Sequence, residues 1–327
     1  MNQQFPIYTV AAECQDCYKC VRVCPVKAIR IEDGRASVVP DLCVLCGRCV
    51  SVCPAQAKKI RDDLGRARRL IGDERKVVAS LAPSWVSEFP SATTEQMIAV
   101  LHRLGFAAVG ETALGAQEVS AAIAASLEHS PNGLMISSAC PSAVSAIQKY
   151  EPQLAETITQ VSSPVLAHAR LLRREYGDGI AVVFIGPCIA KKREADTHPE
   201  LLDLALTFGE LRRWMEVEAV TFDNVKPDDA CRFVPEPAEE GVVYPVEGGM
   251  VQTIQAYHPP REAEFVTLAG MANILEALGG LQPDDINRPV LVECLACEGG
   301  CTNGPGSTRR RGRLRGHLAV LDRTRRS

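Results

Sequence analysis

The sequence predicts an α/β protein, with parallel sheets flanked by helices, preceded by a small α+β module built around cysteines. Three observations carry this expectation. Eight of the fourteen cysteines fall before residue 54, in two copies of one spacing. From Val77 onward, short apolar runs alternate with stretches of helical periodicity, the pattern of a parallel sheet covered by helices. Four of the remaining cysteines lie just past apolar runs, where ligands of such sheets bind, beyond the carboxyl ends of the strands.

The two copies read Cys14-x2-Cys17-x2-Cys20-x3-Cys24-Pro25 and Cys43-x2-Cys46-x2-Cys49-x3-Cys53-Pro54. Three closely spaced thiolates on one loop bind three irons of a [4Fe–4S] cube, and the Cys before the Pro ligates the cube of the other repeat. That rule assigns Cys14, Cys17, Cys20 and Cys53 to a first cluster and Cys43, Cys46, Cys49 and Cys24 to a second. Zinc prefers paired C-x2-C arms around one ion, and structural disulfides belong to oxidising compartments. Residues 10–60 resemble bacterial two-cluster ferredoxins. That resemblance implies a module that stores electrons and passes them on.

The chain has 327 residues, room for a small module and a domain of ordinary size. No charged start followed by an apolar run and a cleavage site is present, and no stretch of about eighteen apolar residues occurs. A cytoplasmic protein without membrane insertion is expected, and its cysteines then point to metal. The net charge of −4 is unevenly spread, because residues 308–327 hold eight Arg against one acid, Asp322. With no aromatic residue interleaved, this basic tail does not read as a nucleic-acid binder; a solvated or partner-docking tail is expected.

The elements follow in order. Lys58 to Lys76 is densely charged and reads as a connecting helix or linker. Val77 to Ala82 is a buried strand ended by Pro83. Met97, Val100, Leu101 and Leu104 recur at helical spacing over Ser91 to Leu104, with Thr93 or Thr94 as N-cap and Gly105 as the stop. A strand at Phe106 to Val109 and a helix at Gln117 to Glu128 come next. Further strands are expected at Gly133 to Ile136, Ile180 to Ile185, Val242 to Val246, Phe265 to Leu268 and Val290 to Val292. Helices fill most of the gaps.

Cys140 follows one strand in SSACP, Cys188 another in GPCIAKKRE, and Cys297 and Cys301 a third in ECLACEGGCTNG. Four thiols on three loops at one end of the sheets suit a third [4Fe–4S] site.

These loops resemble the signature loops of the [FeFe]-hydrogenase catalytic domain, which read TSCCPxW, MPCxxKxxE and ExMACxxGCxxGG. Here they read SSACPSA, GPCIAKKRE and ECLACEGGCTNGP, and the likeness runs from Val77 to about Gly306. It implies a two-lobed H-cluster domain at 77–307, after the ferredoxin-like module at 1–62 and a linker at 63–76, and before the tail at 308–327. It also implies that Cys140, Cys188, Cys297 and Cys301 hold the H-cluster cubane, with Cys301 bridging to a diiron subcluster that carries CO and CN ligands. Lys191 matches the Lys that hydrogen-bonds a cyanide. Glu194 matches the second-loop Glu, for which structural and catalytic readings are both open.

The departures are as informative. Ala139 stands where the family has a proton-relaying Cys, and a methyl group cannot exchange a proton. Ala143 replaces the loop Trp, Gly186 and Leu295 replace Met residues, and the lost bulk is expected to enlarge the pocket. Cys294 reads as a buried inert thiol or a spare relay, and Cys231 as structural. The histidines show no paired metal spacing.

Two functions remain open at this level. One is a slow, divergent hydrogenase resembling the family's sensory members, which exchanges H2 for protons and electrons with a redox partner, a ferredoxin or another electron-transfer subunit, and needs maturation enzymes for its diiron centre. The other is an electron-transfer or redox-sensing protein with three [4Fe–4S] clusters and no diiron subcluster.

Overall fold

The fold comes from a computed structural model, which describes residues 4–129, 133–308 and 313–324. In the cysteine-rich module, β1 (Ile7–Thr9) pairs antiparallel with β4 (Lys58–Ile60), and β2 (Ile29–Glu32) pairs antiparallel with β3 (Arg35–Val38). The β2–β3 turn is Asp33-Gly34, both at positive φ, the backbone that matches strand twist in a two-residue hairpin. Each Cys repeat enters a short helix, Lys19–Val23 or Arg48–Val52, from a left-handed residue, Tyr18 or Gly47. Left-handed backbone also recurs at Asp16 and Lys27 in the first repeat and at Leu45 and Gln56 in the second. The two repeats are thus the same loop built twice.

The rest of the molecule holds two parallel sheets. One contains β5 (Val77–Leu81), β6 (Ala108–Glu111), β8 (Ala181–Gly186) and β9 (Leu204–Thr207), in the order β6-β5-β8-β9. The other contains β7 (Gly133–Ile136), β10 (Glu264–Ala269) and β11 (Pro289–Leu295), in the order β10-β11-β7. Strands β5 and β8 are buried along their whole length, as strands covered on both faces must be. The helix expected at Ser91 to Leu104 spans Thr94–Arg103, and Thr93 and Gln96 form a reciprocal capping box at its start.

Two expectations are corrected. Residues 242–246 are not a strand: a 3-10 turn spans Glu240–Val243, and Val246 makes only an isolated bridge to Gly300. A Cβ at Gly241 would fall 2.2 Å from the Ala113 carbonyl, so this run packs tightly on the helix Thr112–His129. A buried apolar run looks alike in a strand and in a packed turn.

The tail is not simply solvated either. Its residues Arg313–Thr324 form a helix whose Val320 is buried, and Arg323 pairs with Glu111 and lies 5.7 and 5.4 Å from the rings of Trp85 and Phe233. Arg309, Arg310, Arg311, Arg325 and Arg326 lie outside the described residues.

The module is packed into the body rather than tethered to it. Ile7, Ala36 and Leu45 share a core with Ile189 and Ala190, and Val26, Ala28 and Val44 share another with Ala146, Met271 and Ala296. Tyr150 Oη donates to the Leu42 carbonyl at 2.6 Å, and Arg48 pairs with Glu298 at 3.0 Å. Among the described residues, no helix is long and apolar enough to cross a membrane.

Candidate functional site

Four strands end at one place. Strand β5 leads to Pro83-Ser84, β7 to Ala139-Cys140, β8 to Pro187-Cys188, and β11 to the loop carrying Cys297 and Cys301. Pro141 begins the helix Pro141–Tyr150, where its fixed φ suits the first turn, and this sets Cys140 at the helix entrance. Backbone amides of Lys191 and Ala190 bond the Cys188 sulfur as the helix Ala190–Thr197 begins.

The structure brings Cys140, Cys188, Cys297 and Cys301 together, Cys24 with Cys43, Cys46 and Cys49, and Cys53 with Cys20. Cys140, Cys188 and Cys301 each oppose ionisation of Cys297, and Cys140 and Cys188 oppose that of Cys301. Burial is the larger cause for each, and it pushes Cys188 up to about 11. In the module, Cys24 sits within electrostatic reach of Cys43, Cys46 and Cys49, whereas Cys53 acts on Cys20. The thiol before each Pro therefore faces the other repeat. Cys46 also acts on Cys297, so the second group adjoins the third. Buried thiols held up near 11 or 12, as Cys43 and Cys49 are, must give up protons to bind metal. Among the described residues, no three His, Cys, Asp or Glu side chains close on a point where a single ion would sit. Four coupled thiols around a wider space suit a cube with iron at its corners.

Cys140, Cys188 and Cys301 also line a small apolar cavity of about 90 Å³, together with Ala139, Phe184 and Lys191. Lys191 is buried, and its ammonium donates to Glu194 Oε2 at 2.5 Å and to Ser163 Oγ at 3.1 Å; Ser163 Oγ donates to Glu194 Oε1. Glu194 and Ser163 also line a crevice of about 620 Å³ between module and body. Lys192, one residue on, is fully buried and bonded to Asp63 and Glu210 at 2.8 and 2.9 Å. Neither lysine is a solvated surface residue.

Sequence reasoning missed Ser84. The residue lines the cavity, and its hydroxyl is buried with no hydrogen-bond partner. Its place beyond the carboxyl end of β5 was the available signal. Buried polar atoms are rarely left unpaired, so an orphaned donor in a cavity that Lys191 also lines suits an anionic ligand. With Cys301 at the same wall, the residues fit a cubane joined to a diiron group with anionic ligands.

The departures have structural accounts. A Cβ at Gly186 would fall 2.3 Å from the Phe184 ring, so that ring, which lines the cavity, occupies the space a larger residue 186 would need. The expected enlargement at this position is thereby offset. Ala143 is fully buried beside Ile147. Cys294 packs in that same core and burial pushes it up to about 12, the state of an inert thiol. Cys231 is a buried core residue bonded to Asp228 at 3.3 Å.

Residues 75–305 match the family model for the iron only hydrogenase large subunit, C-terminal domain, and residues 13–57 match the 4Fe-4S dicluster domain. The chain is similar to the periplasmic [Fe] hydrogenase large subunit of Nitratidesulfovibrio vulgaris, 27% identical and covering 96% of this chain and 88% of that protein. It is similar to iron hydrogenase 1 of Clostridium pasteurianum at 22% identity over 71% of this chain, and spans 50% of that relative's length. A solved [FeFe]-hydrogenase examined for oxygen inactivation of its H cluster shares the fold at a TM-score of 0.66 and 19% identity, covering 80% of this chain and 90% of that one. The apo [FeFe]-hydrogenase HydA1 from Chlamydomonas reinhardtii shares it at a TM-score of 0.64 and 19% identity, covering 80% and 88%.

Proposed function

Because this chain belongs to the iron-only hydrogenase large-subunit family, we propose that it interconverts hydrogen with protons and electrons at low turnover, serving catalysis or hydrogen sensing. The N-terminal dicluster domain carries two [4Fe–4S] clusters. In this reading Cys14, Cys17, Cys20 and Cys53 hold one, Cys43, Cys46, Cys49 and Cys24 hold the other, and Cys140, Cys188, Cys297 and Cys301 hold the cubane of an H-cluster.

The carrying observation is the small cavity beside Cys301, lined also by Lys191 and by Ser84, whose hydroxyl is orphaned. A plain cubane needs no such chamber. When bound, a diiron group supplies the metal centre at which hydrogen is split or formed. Lys191 and Ser84 would then offer hydrogen bonds to its anionic ligands from apolar surroundings, while Glu194 and Ser163 hold the Lys191 ammonium in place. Cys301 would hold the cubane at the cavity wall.

Electrons pass from the third cubane to the second cluster through the neighbouring Cys297 and Cys46, and then to the first. Among the described residues Cys17 is the one exposed thiol of the twelve, so the first cluster faces the redox partner, a ferredoxin or another electron-transfer subunit. Maturation enzymes supply the diiron group. Cytoplasmic residence belongs to the same proposal, since fourteen unpaired cysteines suit a reducing compartment.

A second reading, three cubanes without a diiron group, draws on Ala139, which leaves the cavity wall without the family's proton-relaying thiol. Infrared spectroscopy decides between the two. After maturation, or loading with a synthetic diiron complex, carbonyl and cyanide stretches are expected. Silence in that region, with about twelve irons per chain from three cubanes, would leave only the electron-transfer reading.

A further inference from the structure

One hydroxyl of the cavity wall leads away from the cluster thiols. Thr112, in the first turn of the helix Thr112–His129, lines the cavity, and its Oγ1 lies 2.8 Å from Ser80 Oγ on β5. Ser80 Oγ lies 2.7 Å from Nδ1 of His168 on the helix Pro164–Tyr176. Ser80 and His168 are fully buried and Thr112 nearly so, and His168 Nε2 has no hydrogen-bond partner. Space for the ring is built in. A Cβ at Gly110 would fall 2.8 Å from His168 Nε2, and one at Gly115 would fall 2.5 Å from the His168 backbone nitrogen.

A core serving only packing has no use for this arrangement, since an unpaired buried polar group costs about 1–3 kcal/mol. Burial alone lowers His168 to about 3, with no charged side chain contributing, so the resting ring is neutral. With the ring proton on Nε2, Nδ1 accepts from Ser80 and Ser80 accepts from Thr112, and every hydroxyl proton in the chain points from the cavity to the ring.

On the reading that the cavity holds a hydrogen-activating centre, we propose that Thr112, Ser80 and His168 are a short proton relay ending in a store, in which His168 holds one proton for that centre and returns it to the cavity rather than passing it to solvent. Thr112 Oγ1 takes a proton from the cavity and releases its own to Ser80 Oγ, which releases its own to His168 Nδ1. One O–H bond forms as one breaks at each hydroxyl, the ring ends as imidazolium, and no electron moves. The reverse sequence returns the proton. A buried cation is favoured only while negative charge stands nearby, so the ring fills when the cavity gains electrons and empties when it loses them. With no onward partner at Nε2, the relay holds one proton at a time, in keeping with slow turnover.

The test uses the full chain with its clusters reconstituted and the cavity loaded with a synthetic diiron complex. Infrared spectroelectrochemistry follows the potential of the cavity centre against pH. The wild type is expected to shift by tenfold in the equilibrium constant per pH unit, ~59 mV for one electron. His168→Gln, Ser80→Ala and Thr112→Val are each expected to flatten that slope and to lower hydrogen turnover at least tenfold. Thr112→Val, nearly isosteric, covers the case in which His168→Gln does not fold. A wild-type slope in Thr112→Val or His168→Gln overturns the relay. So does a slope lost only in Glu194→Gln, which would assign proton entry to the crevice. If the loaded wild type shows no carbonyl or cyanide bands, the hydrogenase reading itself fails and the relay falls with it.

Discussion

A methyl group at residue 139 leaves the wall beside Cys140 with no ionisable atom, while its backbone is held independently of the side chain. The Ala139 N–H donates to Ser137 Oγ at 3.1 Å, and Ser137 Oγ donates to Met250 Sδ at 3.0 Å. Ala139→Cys is therefore expected to keep the loop and to raise hydrogen turnover of the loaded protein at least tenfold, since a positioned acid–base group contributes roughly 10²–10⁴. An unchanged rate in a gas-evolution assay would show that residue 139 is not what limits it. Glu293 is a second single-residue case. Its carboxylate accepts from the Met250 N–H at 3.2 Å and from Thr267 Oγ1 at 3.1 Å, yet burial pushes it up to about 7. The folded state thus keeps a proton that the unfolded chain loses above about 4.5. Its contribution is fully present below that value and is lost as pH rises through 7, by up to about 3 kcal/mol. Glu293→Gln should gain in melting temperature relative to wild type between pH 5 and 8; parallel curves would remove Glu293 from the account. At this scale the cysteines were legible because their spacing is local. Ser84, Thr112 and His168 were not, because they share no sequence neighbourhood and meet only through β5, β6 and the helix Pro164–Tyr176.

Elements with local signals were readable for the same reason. An N-cap at Thr93 or Thr94 and the stop at Gly105 were visible in the chain, whereas the turn at Glu240–Val243 depends on what packs against Gly241. The short helix after Cys46 adds a point no local pattern displays. Gly47, at φ 73°, stands where a Cβ would fall 2.4 Å from Pro305, so the second repeat rests directly on the loop that follows Cys301. Gly47→Ala incurs roughly 1–2 kcal/mol for the left-handed backbone and must also displace Pro305. A lower melting temperature and slower reduction of the third cluster by an external donor are expected. Normal electron transfer in a stably folded variant would mean that this contact does not set the approach of the two clusters.

Across the whole molecule, module and body are joined by buried charge as well as by apolar packing. Lys192 bridges Asp63 and Glu210, and Arg61 bridges Asp63 and Asp196, at 2.7 to 3.0 Å. Burial opposes ionisation of Asp63, but Lys192 and Arg61 outweigh it and hold the carboxyl below its usual range. Lys192→Met leaves the Glu210 carboxylate without its cation, and removing one partner of a buried pair costs about 3–5 kcal/mol. Chemical denaturation should show that loss; a change below about 1 kcal/mol would mean that solvent or rearrangement compensates. The alternation of strands and helices announced the parallel sheets. It did not announce the fixed docking of the module, which depends on surfaces complementary only after both parts have folded.

The exchange of thiols between the two repeats also bears on timing. On the proposed assignment the second ligand set is complete only once residue 49 has been made and the first only once residue 53 has, so neither repeat can finish a cube alone. The third set waits for Cys301. Both ligand sets of the module are therefore in the nascent chain long before the third, so metal delivery to the module can accompany elongation while the third site waits.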